Sequence, residues 1–160
     1  MLVQSLVVTV GCAVDALQRD DRAVHRMLDV ATVVVRGSGV ALRYAGDFSP
    51  LQYRSVVRPA MMPPNLEAKF SGLQIRDHAY LLKWLARVRP ILAAADEAVR
   101  GRYQRFVAEI GPTYDAHRYV CARFGGDVEP SLRMSASSTM TAADVLERLK
   151  QSRSRSVTPR

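Results

Sequence analysis

Apolar residues recur at helical spacing along most of the chain. Leu2, Val3, Leu6, Val7, Val10, Val14 and Leu17 step mainly by three and four residues, which places them on one face of a first helix. No Ser, Thr, Asp or Asn precedes that pattern to receive the first N–H groups, so the helix reads as a cut through a longer structure. A second helix is predicted from Asp21 through Val24, Met27, Leu28, Ala31, Val34 and Val35, loosening at Gly37 and Gly39 and ending near Gly46. Ser49-Pro50-Leu51-Gln52 has the order of a capping box with proline at the first helical position, and Pro59, Pro63 and Pro64 stop the short helix it starts, forcing an extended loop over residues 65–72. Ile75, Ala79, Leu82 and Ala86 mark another helix, its apolar face widened by Tyr80, Leu81, Trp84 and Leu85. The longest helix is predicted over residues 90–124, kinked at Gly111-Pro112 and stopped by Gly125-Gly126. After a Ser/Thr-rich stretch, Thr141-Ala142-Ala143-Asp144 resembles a capping box that launches a last short helix through Val145, Leu146 and Leu149.

These patterns predict an all-α helical bundle, with residues 1–150 as one domain and residues 151–160 as a disordered basic tail. Strand signals are lacking, and 48% hydrophobic against 24% charged residues supports a folded core in a chain of 160. The net charge of +8 raises the prospect of a nucleic-acid or anionic partner. Its basic residues are spread along the chain, however, and clustered only from Lys150 to Arg160, which argues against a nucleic-acid groove. Cys12 and Cys121 both lie on apolar patterns and read as buried free thiols of a cytoplasmic protein. The apolar opening lacks a basic flank and a cleavage site, so neither a secretory signal nor a membrane span is expected.

Candidate chemistry concentrates on His117. Leu92, Ala95, Val99, Phe106, Ile110, Tyr114, His117, Cys121 and Phe124 form a nearly continuous stripe, so the imidazole is expected to face inward. A buried neutral imidazole keeps a lone pair that needs a donor or a metal, since an unsatisfied one costs about 1 to 3 kcal/mol. A histidine satisfied by a hydroxyl or carbonyl in the core is the plain alternative. His25 lies in a charged stretch and is expected at the surface; His78 follows Arg76-Asp77 at a helix start. No phosphate loop, nucleophile elbow, dinucleotide fingerprint, paired zinc ligands or hydrolytic carboxylate pair occurs.

The order of these pieces resembles the C-terminal half of the indoleamine 2,3-dioxygenase superfamily, especially its monodechloroaminopyrrolnitrin synthase branch. Arg102-Tyr103, followed fourteen residues later by His117 and then Val120, Cys121, Arg123 and Phe124, is similar to the proximal-ligand helix of that superfamily. The run from Ser49-Pro50 through Tyr53, Ser55, Val56, Val57 and Arg58 resembles its distal helix. Phe70-Ser71-Gly72 resembles its Phe-Ala-Gly loop, and Ser138-Thr139-Met140-Thr141 before Asp144 resembles its C-terminal loop and closing helix. Two departures stand out: the last loop is Ser/Thr-rich rather than Gly-rich, and Tyr114 stands where dioxygenases of the indoleamine type carry an arginine.

The resemblance implies the C-terminal part of a large heme-binding helical domain, with His117 as proximal ligand of the iron of heme b. It also implies dioxygen as co-substrate and a tryptophan derivative, chlorinated in one branch, as substrate. Tyr53 and Phe70 would stack on the indole and Arg58 would pair with its carboxylate, while Ser55, Ser71, Gly72, Ser138 and Thr139 complete the pocket. The outcome would be an oxidative rearrangement or cleavage of the indole ring. Members of the superfamily are more than twice as long, so the chain is expected to be truncated and inactive alone, or completed by an N-terminal half or a second copy. The alternative from a different class is a small basic helical module that binds nucleic acid or protein.

Overall fold

Helices account for most of the described backbone. In this computed structural model, residues 2–19, 21–61, 64–65, 76–126 and 139–157 are described. They form α1 (Leu2–Gln18), α2 (Ala23–Ala45), α3 (Pro50–Gln52), a π-helical turn (Tyr53–Val57), α4 (Arg58–Ala60), α5 (Arg76–Leu92), α6 (Glu97–Ala108), α7 (Ile110–Arg123) and α8 (Ala142–Val157). Among the described residues there is no β-strand. The all-α bundle expected from the periodicity is what the chain adopts.

The core sits between four helices. α1 contributes Leu6, Val10, Ala13 and Val14, α2 Val24, Leu28, Ala31 and Val35, α5 Leu81, Leu85, Val88 and Leu92, and α6 Val99, Tyr103 and Phe106. Apart from the adjacent Ala13 and Val14, each set follows the three-and-four spacing that puts residues on one helical face. Burying each of these side chains stabilises the fold by about 1.5–3 kcal/mol for the larger ones. Tyr103 and Phe106 lie at the centre, their rings tilted 45° at 5.9 Å.

α7 lies outside that core, between α2 and α8. Thr113 donates its hydroxyl to the Val35 carbonyl at 3.1 Å, Gly39 faces Thr113 and Ala116, and Gly46 faces Val120, so α2 and α7 run parallel. On the opposite flank the Gly126 carbonyl accepts from Ala143 N–H, Glu147 meets Arg118, and Lys150 reaches both Asp115 oxygens at 2.7 and 2.8 Å, so α8 runs antiparallel to α7. At Gly46 the absence of a side chain is essential, because a Cβ there would come within 2.6 Å of Val120.

Several expectations are corrected. The single helix over residues 90–124 is three pieces: α5 carries Pro90 in its last turn and ends at Leu92, and Asp96 caps α6 by accepting from Val99 N–H at 2.7 Å. The chain breaks again at Glu109, because Pro112 has no N–H to offer the Ala108 carbonyl and Glu109 N–H reaches back only to Phe106. Gly37 and Gly39 do not loosen α2, which is continuous from Ala23 to Ala45. α8 continues past Leu149 to Val157, giving helix over residues 151–157 of the expected tail. The two capping boxes are present: Ser49 and Gln52 exchange bonds at 2.9 and 3.1 Å, and Thr141 and Asp144 at 3.2 and 3.1 Å. Cys12 is exposed and Cys121 half-buried, so neither is the fully buried thiol expected.

Candidate functional site

α7 presents different residues on each side. Thr113, Ala116 and Val120 turn toward α2, while Asp115 and Arg118 turn toward α8. Ile110, Tyr114, His117 and Cys121, spaced four, three and four apart, form a third strip along one edge. Ile110 joins the strip to the core, and Tyr114 and Cys121 are half-buried.

His117 lies in the middle of this strip, and its side chain is exposed rather than turned inward as the stripe suggested. The correction has a physical cause. α7 is flanked by partners on two opposite sides, so its own apolar periodicity does not decide which residue is covered. Surrounding atoms still displace enough water from the ring to hold its pKa below the ordinary histidine value, which favours the neutral imidazole. One turn further on, burial pushes the Cys121 thiol up, so the protonated form prevails there at neutral pH.

At its far end the strip meets the segment expected to face a substrate. Phe124 stacks on Tyr53 with ring centroids 4.5 Å apart and on Phe48 at 4.7 Å. Phe48 and Tyr53 are themselves nearly parallel at 6.3 Å. Phe48 occupies the position before the Ser49 cap and Tyr53 the fourth helical position after it, the spacing of a hydrophobic staple. An apolar residue directly before a capping box is the signal in the sequence for Phe48, which helical periodicity alone does not reveal. Arg123 fixes the junction by pairing with Asp47 at 3.3 Å while lying 5.9 Å from the Phe124 ring centroid.

Beyond Tyr53 the backbone widens. Pro59 has no N–H for the Ser55 carbonyl and its ring crowds that oxygen, so Arg58 N–H reaches back five residues to Tyr53. Ser55 donates its hydroxyl to Leu51 within its own helix at 2.9 Å, and Arg58 is half-buried. Thus Tyr53, Ser55 and Arg58 share one short segment joined to the His117 helix through Phe124. Thr139 is exposed ahead of α8. Phe70, Ser71, Gly72 and Ser138 lie outside the described residues, as does the side chain of His78. His25 is half-buried rather than at the open surface, in a shallow depression of α2. Among the described residues no group of three or more His, Cys, Asp or Glu side chains is placed to hold a metal ion.

The family model described as SfmD 3-methyl-L-tyrosine peroxygenase matches residues 1–102. The chain belongs to the SfmD 3-methyl-L-tyrosine peroxygenase family. It is also 35% identical over 154 residues to a 3-methyl-L-tyrosine peroxygenase of Streptomyces lavendulae, an alignment that covers 96% of this chain and 42% of that relative. The chain therefore spans less than half the length of the curated relative it matches. No solved structure matches it. Within this peroxygenase family the model match covers α1 to α5 and the first residues of α6, whereas the longer alignment with the relative takes in α7 and its strip. No described helix is long and apolar enough to cross a membrane.

Proposed function

We propose that the chain supplies the heme-holding half of an oxygenase that acts on an aromatic amino acid. The observation that carries this reading is the strip on α7: one neutral-favouring imidazole on a half-buried apolar edge, joined by the Phe124–Tyr53 stack to the segment that ends in Arg58. The donor set suits heme. A heme takes only one or two axial atoms from the protein, and a neutral imidazole has the lone pair to give. In this reading His117 would hold the heme, and Ile110, Tyr114 and Cys121 on the same strip would supply the apolar edge beside it.

The name of the Streptomyces relative favours a ring-methylated tyrosine over the tryptophan derivative implied by the dioxygenase resemblance, and peroxide over dioxygen as oxygen source. Bound heme would supply the redox chemistry for inserting one peroxide oxygen into an aromatic C–H bond, with the other oxygen leaving as water. The chain's own residues bind and orient. Tyr53 offers a ring face for offset stacking, and Arg58 offers a planar guanidinium to the amino-acid carboxylate. Phe70, Ser71, Gly72, Ser138 and Thr139 remain the further pocket residues of this proposal. Kinship with the indoleamine dioxygenase superfamily belongs to the same reading. Among the described residues Arg36, Arg102, Arg118 and Arg123 are each engaged with a carboxylate, which weighs against the nucleic-acid alternative.

Titrating hemin into the purified chain should give a saturable Soret band that is lost in His117→Ala while far-UV circular dichroism stays unchanged. A band of equal intensity and position in the helical variant would remove His117 from the site.

A further inference from the structure

The outer face of α2 carries an apolar stripe directly opposite the face it buries. Val30, Val33, Gly37, Val40 and Tyr44 recur at intervals of three and four, and the four with side chains are 40%, 66%, 66% and 85% exposed. Val24, Leu28, Ala31 and Val35 occupy the other side of the same helix, in the core. Two features identify what the stripe fits. It is nearly symmetric about Gly37, with apolar residues seven and four positions before it and three and seven after it. A Cβ built on Gly37 meets nothing within 4 Å, so the backbone there is bare at the centre of the stripe.

The ends of the stripe differ in a complementary way. Around Val30, the side chains of His25, Arg26, Asp29, Val33 and Val34 line a shallow depression. Seven residues beyond Gly37, Tyr44 projects as the most exposed large apolar side chain of the helix. Each end lies about 10 Å from Gly37 along the helix axis. A two-fold axis through Gly37 therefore carries each Tyr44 onto the other copy's depression, which is the self-complementarity an isologous contact requires.

We infer that two copies of this chain associate through α2, antiparallel and crossing at Gly37, with Tyr44 of each seated against Val30 of the other. The close approach at glycine lets Val33 of one copy pack beside Val40 of the other. Along one flank, Asp29, which also meets Arg102 and Arg105 of its own chain, and Arg43, which lies over the Tyr119 ring, stand at opposite ends of the stripe, so the antiparallel arrangement brings unlike charges toward each other twice. The apolar side chains supply on the order of 400 Å² per copy, roughly half of what a standard interface takes from each partner, and the flanking Arg26, Asp29, Arg36 and Arg43 supply the rim. The association does not depend on heme or on the activity proposed above.

Sedimentation equilibrium on the full chain should show a dimer at micromolar concentration. Val33→Asp and Val40→Asp change exposed positions, so each should keep its helical circular dichroism while weakening the dimer a hundredfold or more. In a Cys12→Ser background, Gly37→Cys should form an intermolecular disulfide under mild oxidation. Val30→Cys alone should not crosslink, whereas Val30→Cys combined with Tyr44→Cys should. A monomer at 100 μM, a dimer untouched by Val33→Asp, or crosslinking of Val30→Cys to itself overturns the proposal, the last because it signifies a parallel pair.

Discussion

α6 and α7 follow one another in sequence with a single residue between them, yet different forces hold them. α6 buries Val99, Tyr103 and Phe106 in the core. α7 buries only Ala116 and is tied down by polar bonds instead: Thr113 to the Val35 carbonyl, Glu109 to Arg36, Asp115 to Lys150, Arg118 to Glu147 and Arg123 to Asp47. The lesson concerns division of labour. A helix anchored by its apolar face has that face occupied, whereas one held at its flanks by directional bonds keeps an edge available for a ligand. In this chain the available edge is the strip that carries His117.

The sharpest challenge to that contrast is a truncation in α6. Phe106→Ala should lower unfolding free energy by about 3–5 kcal/mol, read from urea denaturation, because it empties a fully enclosed volume. A loss below about 1 kcal/mol would mean that the core does not depend on α6. On α7 the corresponding change is small. Lys150→Met breaks the two bonds to Asp115, but both side chains remain partly open to water, so the expected cost is under about 1 kcal/mol by the same measurement. A cost equal to that of Phe106→Ala would erase the distinction between the two helices.

The smallest effect is one of pH. His117 binds a proton less readily in the folded chain than in the unfolded one. Stability is therefore level above the ordinary histidine pKa of about 6.5 and declines as pH falls from there through the lower folded value, because the unfolded state takes up the proton first. His117→Gln should flatten the decline in thermal melts between pH 7 and pH 5. An unchanged slope would show that the ring is fully hydrated and that the strip is not a partly dry edge.

Local chemistry made much of the architecture legible. Ser49 with Gln52 and Thr141 with Asp144 announced two helix starts, because a cap is specified by residues within one turn of it. The α1 and α2 core residues were equally plain from spacing. What failed depends on distant partners. The stripe continued without interruption from Val99 to Phe124, but Glu109 marks a change of helix, and beyond it coverage is set by Val35, Gly39 and Gly46 on one side and by Glu147 and Lys150 on the other. For that reason spacing alone puts His117 in line with the apolar stripe but does not turn its ring inward. Pro90 read as a helix start because proline favours a first turn, whereas here the preceding turns already bury Leu81, Leu85 and Val88 and carry the helix through it.

The widened turn over Tyr53–Val57 has a consequence for how this segment tolerates change in length. Reaching back five residues instead of four takes up one extra residue in the winding, so Arg58 stands roughly where the fourth residue after Tyr53 would stand in an ordinary α-helix. Removing one residue from the turn would restore ordinary winding and leave both the Tyr53 ring and the Arg58 side chain on the sides of the axis they now occupy. The turn is thus slack in the winding: a single-codon deletion is absorbed here, whereas the same deletion within α6 would rotate everything after it by about 100°.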